Sequence, residues 1–264
     1  MNKRDDNFHN LESLFIELKF HDILIFEKSK NFKISSNVKE VPTDNNNLIY
    51  KSYQILKKIC KPSIEYSIHI EKNIPIGSGL GGGSSNAAKT LCVLNKLWSA
   101  NLSNNELINI SKGIGSDVPF FINGSTQLVK GKGDILTKVD GNFIKDYTIL
   151  LVFPRFSVNT KWAFTELSKQ KKYLFDNNTI NKFPTLSKTL DWKFFKNDFE
   201  EMINQAYPEI GIIKSKLINL GACYSSLSGS GSTMFGVFED YKKAVCASKS
   251  ISKYVTAITE PHII

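Results

Sequence analysis

Arginine is nearly missing from this chain. Of 34 basic residues in a length of 264, all but Arg4 and Arg155 are lysine. Base-edge and bidentate phosphate recognition favour the planar arginine fork. A formal charge of +9, spread along the chain and accompanied by 24 asparagines, therefore reads as a lysine- and asparagine-rich surface, and no nucleic-acid partner is expected. Cysteine is scarce as well. Cys60, Cys92, Cys223 and Cys246 lie far apart, with no CxxC and no histidine at metal-ligand spacing. That excludes a disulfide framework or a zinc site, and predicts reduced thiols acting as small buried apolar residues. Long apolar runs are also missing. The longest uncharged one, Tyr147 to Pro154, falls far short of the roughly 20 residues of a membrane helix. Glu17 and Lys19 interrupt the apolar stretch that follows Lys3 and Arg4, so no signal peptide is expected. A soluble, cytoplasmic protein without a membrane partner is the natural reading.

What is present suffices for a core. Apolar residues make up 41% and aromatics 11% of the chain, a composition that excludes general disorder. The length fits one large domain or two modest ones. Short apolar runs between residues 11 and 36 predict antiparallel strands. Leu48 to Cys60 predicts a helix, and the alternation from Ile64 to Ile70 predicts a half-buried strand that contains His69. Ala87 to Trp98 shows helical periodicity, and Ser103 with Glu106 forms a capping box. Strands are expected at 127–129 and 148–153. A helix around Trp162, helices across 190–206 and 208–220, and a glycine-punctuated strand pair over 223–238 follow. Helix 240–250 and strand 255–259 close an α+β pattern. The division is expected near residue 150, giving domains 1–148 and 149–264.

The most informative stretch runs from Pro75 to Ala88. Gly77, Gly79, Gly81, Gly82 and Gly83 are interrupted only by Ser78 and Leu80, and Ser84 and Ser85 follow at a helix start. Backbone N–H groups in such a loop can crowd around an anion, with the positive end of the helix dipole aimed at it. Two familiar patterns fail here. Gly77, Gly79 and Gly82 satisfy G-x-G-x-x-G, but no acidic residue stands about 20 positions on. Ala88 replaces the glycine that a P-loop needs before Lys89-Thr90, which leaves Lys89 as an ordinary solvated helix residue.

Taken whole, the loop resembles the P-x-x-x-G-L-G-S/G-S-S phosphate-binding motif of the GHMP small-molecule kinases. Gly115-Ser116-Asp117-Val118-Pro119-Phe120-Phe121 and Lys3 to Phe15 are similar to segments of the family branch that acts on 4-diphosphocytidyl-2-C-methyl-D-erythritol. Asn197-Asp198-Phe199-Glu200, Tyr207-Pro208-Glu209-Ile210 and Ser228-Gly229-Ser230-Gly231-Ser232 extend the likeness almost to the end. The resemblance implies a two-domain fold, an N-terminal domain like ribosomal protein S5 and a C-terminal ferredoxin-like one. It implies ATP-dependent phosphorylation of that substrate's 2-hydroxyl, in the non-mevalonate isoprenoid pathway, with Mg²⁺ bridging the phosphates.

By the same resemblance, residues 77–85 with Pro75 and Asn47 hold ATP, and Asp117 is the catalytic aspartate, a position from which it could also cap the next turn. His9 would bond cytosine, Phe8 and Phe164 would stack on it, and Thr160 lies on the substrate side. Metal ligands are not assigned, although Ser84 and Ser85 are candidates, and either a monomer or a homodimer is compatible. One departure stands out. The family's first strand, A-K-I-N-L-x-L, precedes the Lys3–Phe15 segment and carries a lysine paired with the catalytic aspartate. Here Met1-Asn2 leads directly into Lys3-Arg4. An open sheet edge and lowered activity are expected from a chain begun late. Another GHMP kinase, of homoserine or a sugar, and a catalytically silent nucleotide binder remain alternatives, with a nucleic-acid module behind them.

Overall fold

The computed structural model describes residues 2–3, 9–169 and 191–263. The chain runs through β1 (Asn2–Lys3), β2 (His9–Ile16), β3 (Ile23–Ser29), β4 (Ile34–Ser36), α1 (Leu48–Cys60) and β5 (Glu65–Glu71). It continues with α2 (Gly82–Leu97), α3 (Asn104–Ser111), α4 (Val118–Asn123), β6 (Thr126–Gly131) and β7 (Ile135–Lys138). Then follow β8 (Thr148–Phe153), α5 (Thr160–Lys169), α6 (Glu200–Ala206), α7 (Glu209–Asn219), β9 (Tyr224–Leu227), β10 (Met234–Phe238), α8 (Tyr241–Ser250) and β11 (Val255–Thr259).

Three sheets organise these elements, in the orders β1-β2-β6-β7, β3-β5-β4 and β11-β8-β10-β9. In the second sheet, β3 pairs antiparallel with β5, but β4 runs parallel to it, Ile34 opposite Ile68. The expectation of antiparallel strands throughout residues 11–36 is corrected there. Parallel neighbours need a crossover, and α1 supplies it between β4 and β5. That helix begins at Asn47, whose Oδ1 accepts from Ile49 N at 2.9 Å, and ends at a left-handed Lys61. It buries Ile49, Tyr53 and Leu56 against α2, and Ser52 Oγ donates across to Ala87 O at 3.1 Å.

One core joins α1, α2 and β5 through Tyr53, Ile68, Ile70, Leu91 and Leu94. A second lies between the last sheet and its helices, built on Leu150, Val152, Ile203, Ile213, Leu217 and Phe238. The other face of β8 presents Ile149, Leu151 and Phe153 to Ile16 of β2 and to Leu18, Phe20 and Leu80, so apolar packing joins the first and last of these sheets. Near the C-terminus, His262 N donates to Glu17 O at 2.7 Å and Pro261 bridges to Leu18.

Other departures from the sequence reading are local. The expected helix over 190–206 is a 3₁₀ turn at Trp192–Phe194 and then α6, which starts at Glu200; residue 190 lies outside the described residues. Two of the four thiols are not buried as expected: Cys223 and Cys246 are exposed, while Cys60 and Cys92 are half-buried against the first core. On α8 the inward face is filled by Ala244 and Ala247, which turns residue 246 outward. Among the described residues no helix is long and apolar enough to cross a membrane. No described strand pairs with Leu11–Ile16 on the side of β2 away from β6.

Candidate active site

The glycine-rich loop joins β5 to α2. Its backbone takes positive φ at Gly77, Gly79 and Gly81 (67°, 79° and 67°), conformations that L side chains adopt at a cost. At two of these positions glycine is also required by space. A Cβ on Gly79 would lie 2.5 Å from Ser228 O and 2.7 Å from Gly231 O, and one on Gly81 would lie 2.9 Å from the Phe121 ring. The loop is therefore wedged between the second glycine-rich loop, residues 228–232, and α4. Two bonds of 3.0 Å tie the two loops together, from Ser228 Oγ to Gly79 O and from Thr233 N to Ser78 O.

Gly81 caps α2 without any side-chain bond, and the first turn carries no acidic residue. The first intrahelical donor is Ser85 N, to Gly81 O at 2.8 Å. The N–H groups of Gly82, Gly83 and Ser84 thus have no partner within the helix. With the dipole behind them they form an anion cradle. Nothing lies within 4 Å of a Cβ on Gly83, so the cradle opens to solvent at that point. Pro75 and Ile76 lead into it, and Lys89 is exposed beyond it.

Asp117 occupies the N-cap position of α4 but makes no capping bond. Among the described residues it has no ion pair or hydrogen-bond partner, and its carboxyl is left available. The residue is solvent-accessible, yet surrounding protein crowds the carboxyl. That loss of hydration pushes its pKa above the ordinary carboxylate range. One helical turn beyond it, Phe121 touches Gly81, so α4 bridges the carboxylate and the cradle.

A third group assembles from both ends of the chain. His9, on β2, lies with its ring 5.1 Å from that of Phe164 on α5, tilted by 35°. Its Nε2 sits 2.6 Å from Ser168 Oγ, which itself donates to Phe164 O at 2.8 Å. Phe164 is braced edge-on against Phe199 at 4.9 Å. Thr160 begins α5 and accepts from Ser230 Oγ at 3.2 Å, which links this group to the second glycine-rich loop. Beside it an open cleft of about 650 Å³ is lined by Gly77, Ser157, Lys161, Trp162 and Tyr207. Phe8 lies outside the described residues. Asn47 caps α1, its Nδ2 held on Pro42 O at 2.6 Å, and the next residue, Leu48, lies 3.6 Å from where a Cβ of Gly115 would stand.

Beneath the cradle lies a pair that sequence reasoning passed over, Asp22 and Lys72 at 2.7 Å. No local spacing joins residue 22 to residue 72, so no sequence pattern points to it.

Comparison with known proteins places this arrangement. Residues 47–125 match the GHMP kinases N terminal domain and residues 181–255 the GHMP kinases C terminal domain. A 4-diphosphocytidyl-2-C-methyl-D-erythritol kinase of Thermodesulfovibrio yellowstonii is 39% identical over 99% of this chain and 94% of its own. One from Clostridium botulinum is 35% identical over 96% and 91%. Among solved structures, a 4-(cytidine 5'-diphospho)-2C-methyl-D-erythritol kinase superposes with a TM-score of 0.78 at 24% identity, covering 98% of this chain and 92% of that one. The homoserine kinase of Cytophaga hutchinsonii gives 0.77 at 16% identity, over 95% and 89%, which shows that the fold is shared across substrates. With both domain models matched and full-length relatives of one kind, the chain belongs to the GHMP kinases, in the family of 4-diphosphocytidyl-2-C-methyl-D-erythritol kinases.

Proposed function

We propose that this enzyme transfers the γ-phosphoryl group of ATP to the 2-hydroxyl of 4-diphosphocytidyl-2-C-methyl-D-erythritol, a step of non-mevalonate isoprenoid synthesis. The observation that carries the choice of acceptor is the meeting of His9 with Phe164. A flat base can stack on the phenyl face and be read by the imidazole, and a homoserine or sugar kinase has no use for either. We divide the chain at residue 148, with 1–148 carrying the phosphate loop and 149–264 the aromatic side of the acceptor site. We read it as a cytoplasmic enzyme, monomer or homodimer, that acts on small molecules and not on nucleic acid.

Phosphoryl transfer asks for position and charge neutralisation more than for covalent help. The free N–H groups at the start of α2 hold the phosphate chain, and residues 77–83 allow its close approach. Asp117 takes the proton of the attacking hydroxyl. Its raised pKa makes the carboxylate a stronger acceptor than an ordinary aspartate. Magnesium commonly uses one or two protein groups, with waters and substrate phosphates completing the shell. The hydroxyls of Ser84 and Ser85, half-buried in the first turn of α2, are oxygen donors of the kind it takes and would hold it in this chain. The ion would neutralise charge developing on the phosphates.

The test is phosphorus NMR of the cytidyl substrate with Mg-ATP and this protein. A new phosphomonoester resonance with matching ADP formation is expected, along with competitive inhibition by CDP. Phosphorylation of homoserine or a sugar instead, unaffected by CDP, overturns the acceptor assignment.

A further inference from the structure

We infer that Asp22 is a positioning residue for the nucleotide, because it clamps both ends of the phosphate loop. This rests on the reading that the loop holds ATP. Asp22 lies on the connection between β2 and β3, and its side chain is fully buried (0% exposed) beside Lys72 (9%). Four donors converge on its two oxygens. Oδ1 accepts from Asn73 N and Ile74 N, each at 2.8 Å. Oδ2 accepts from Lys72 Nζ at 2.7 Å and from Asn86 Nδ2 at 2.8 Å. Asn73 and Ile74 are the residues by which the chain enters the loop, and Asn86 is in the second turn of α2, just past the cradle. The segment between them holds five glycines, and Leu80 is its one side chain packed in the cluster behind β8. Its geometry is set from outside, at the tip by residues 228–232 and α4 and at entry and exit by this one carboxylate.

The chemistry of the partners explains why the grip needs an aspartate. An ionised carboxylate is an acceptor only, with about four lone-pair sites, and here donors face all of them. An asparagine would turn an NH₂ toward donors and leave the buried ammonium of Lys72 without its counter-charge. That ammonium also donates to Ile74 O. It lies 3.2 Å from where a Cβ of Gly82 would stand, under the first turn of α2. The clamp thus places a compensated cation directly below the anion cradle.

A loop that spends part of its time outside the binding geometry shows an apparent dissociation constant raised by the inverse of the competent fraction. Cutting one arm of the clamp should therefore act on ATP alone. Asn86→Ala removes a single bond and leaves the Asp22–Lys72 pair in place. Its KM for ATP should rise about five- to tenfold while its KM for the cytidyl substrate stays within about twofold. Amide hydrogen exchange in residues 73–86 should quicken about threefold or more, with α8 unchanged. Asp22→Asn should show the same pattern more strongly; if it does not fold, Asn86→Ala decides. The inference is overturned if exchange in 73–86 and the ATP KM both stay within about twofold of the parent. It is equally overturned if both substrates' KM values rise together with a general loss of thermal stability. Should the parent enzyme fail to phosphorylate the cytidyl substrate, the acceptor reading falls, while the exchange measurement still decides the clamp.

Discussion

Replacing Gly79 with alanine tests whether the two glycine-rich loops form one rigid unit. The new methyl would sit 2.5 Å from Ser228 O and 2.7 Å from Gly231 O, both backbone atoms, at a φ of +79°. Ordinary contact begins near 3.4 Å, so the loops must part by roughly 0.9 Å. The left-handed conformation costs an alanine about 1–2 kcal/mol. Parting the loops also forfeits the bonds from Ser228 Oγ to Gly79 O and from Thr233 N to Ser78 O, about 1 kcal/mol each. The sum is about 3–4 kcal/mol, which for a chain of this size lowers the melting temperature by roughly 6–16 °C. A displacement near 1 Å at the phosphates should cut kcat/KM for ATP about 100-fold. Gly83→Ala is the control, since its methyl meets no protein atom within 4 Å and its φ is not positive; its melting temperature should stay within about 2 °C of the parent. Calorimetry and steady-state kinetics read both variants. A Gly79→Ala enzyme that melts within about 2 °C of the parent, or a Gly83→Ala enzyme that melts as low as Gly79→Ala, refutes the steric argument.

Asp117→Asn should lower kcat by about 10²–10⁴ and raise thermal stability at neutral pH. Because the folded carboxyl titrates above its unfolded value, its contribution is least unfavourable below the unfolded pKa, near 3.9. It worsens as pH rises through the folded pKa, so the stability gained by the asparagine variant should grow over that interval and then level off. A gain that is flat in pH, or a variant less stable than the parent at pH 7, contradicts this. Phe164→Ala should raise the KM for the cytidyl substrate about 5- to 150-fold, as expected for a lost base–aromatic stack, and leave the KM for ATP unchanged. Equal changes in both would place Phe164 in the core only.

Local signals were legible and long-range ones were not. The helix read over Leu48 to Cys60 has those bounds, because Asn47 caps it and apolar spacing follows. The capping box at Ser103 and Glu106 forms on both sides, and β5 begins one residue later than the alternation suggested. The parallel partner of β4 and the short β7 escaped notice, since strand pairing is decided across the sheet and not along the chain. The cradle could be seen in its glycines alone, but what wedges it could not, because Ser228, Gly231 and Phe121 are brought to it only by folding. His9 and Phe164 were joined through family likeness, with nothing in their own spacing to suggest a meeting. The carboxylate under the loop had neither kind of signal.

The contact between Gly79 and the 228–232 loop ties the phosphate cradle, which follows β5, to the sheet of β8–β11. Any anion that settles there gains from an arrangement to which that sheet contributes as well as α2. Occupancy at 100 times the dissociation constant adds about 2.7 kcal/mol to the stability of whatever unfolds together with the site. That increment should be shared by the C-terminal sheet, so ATP would protect amides in β9 and β10, strands that need not touch it. Nucleotide in this molecule would then act as a staple between its two halves as well as a reactant.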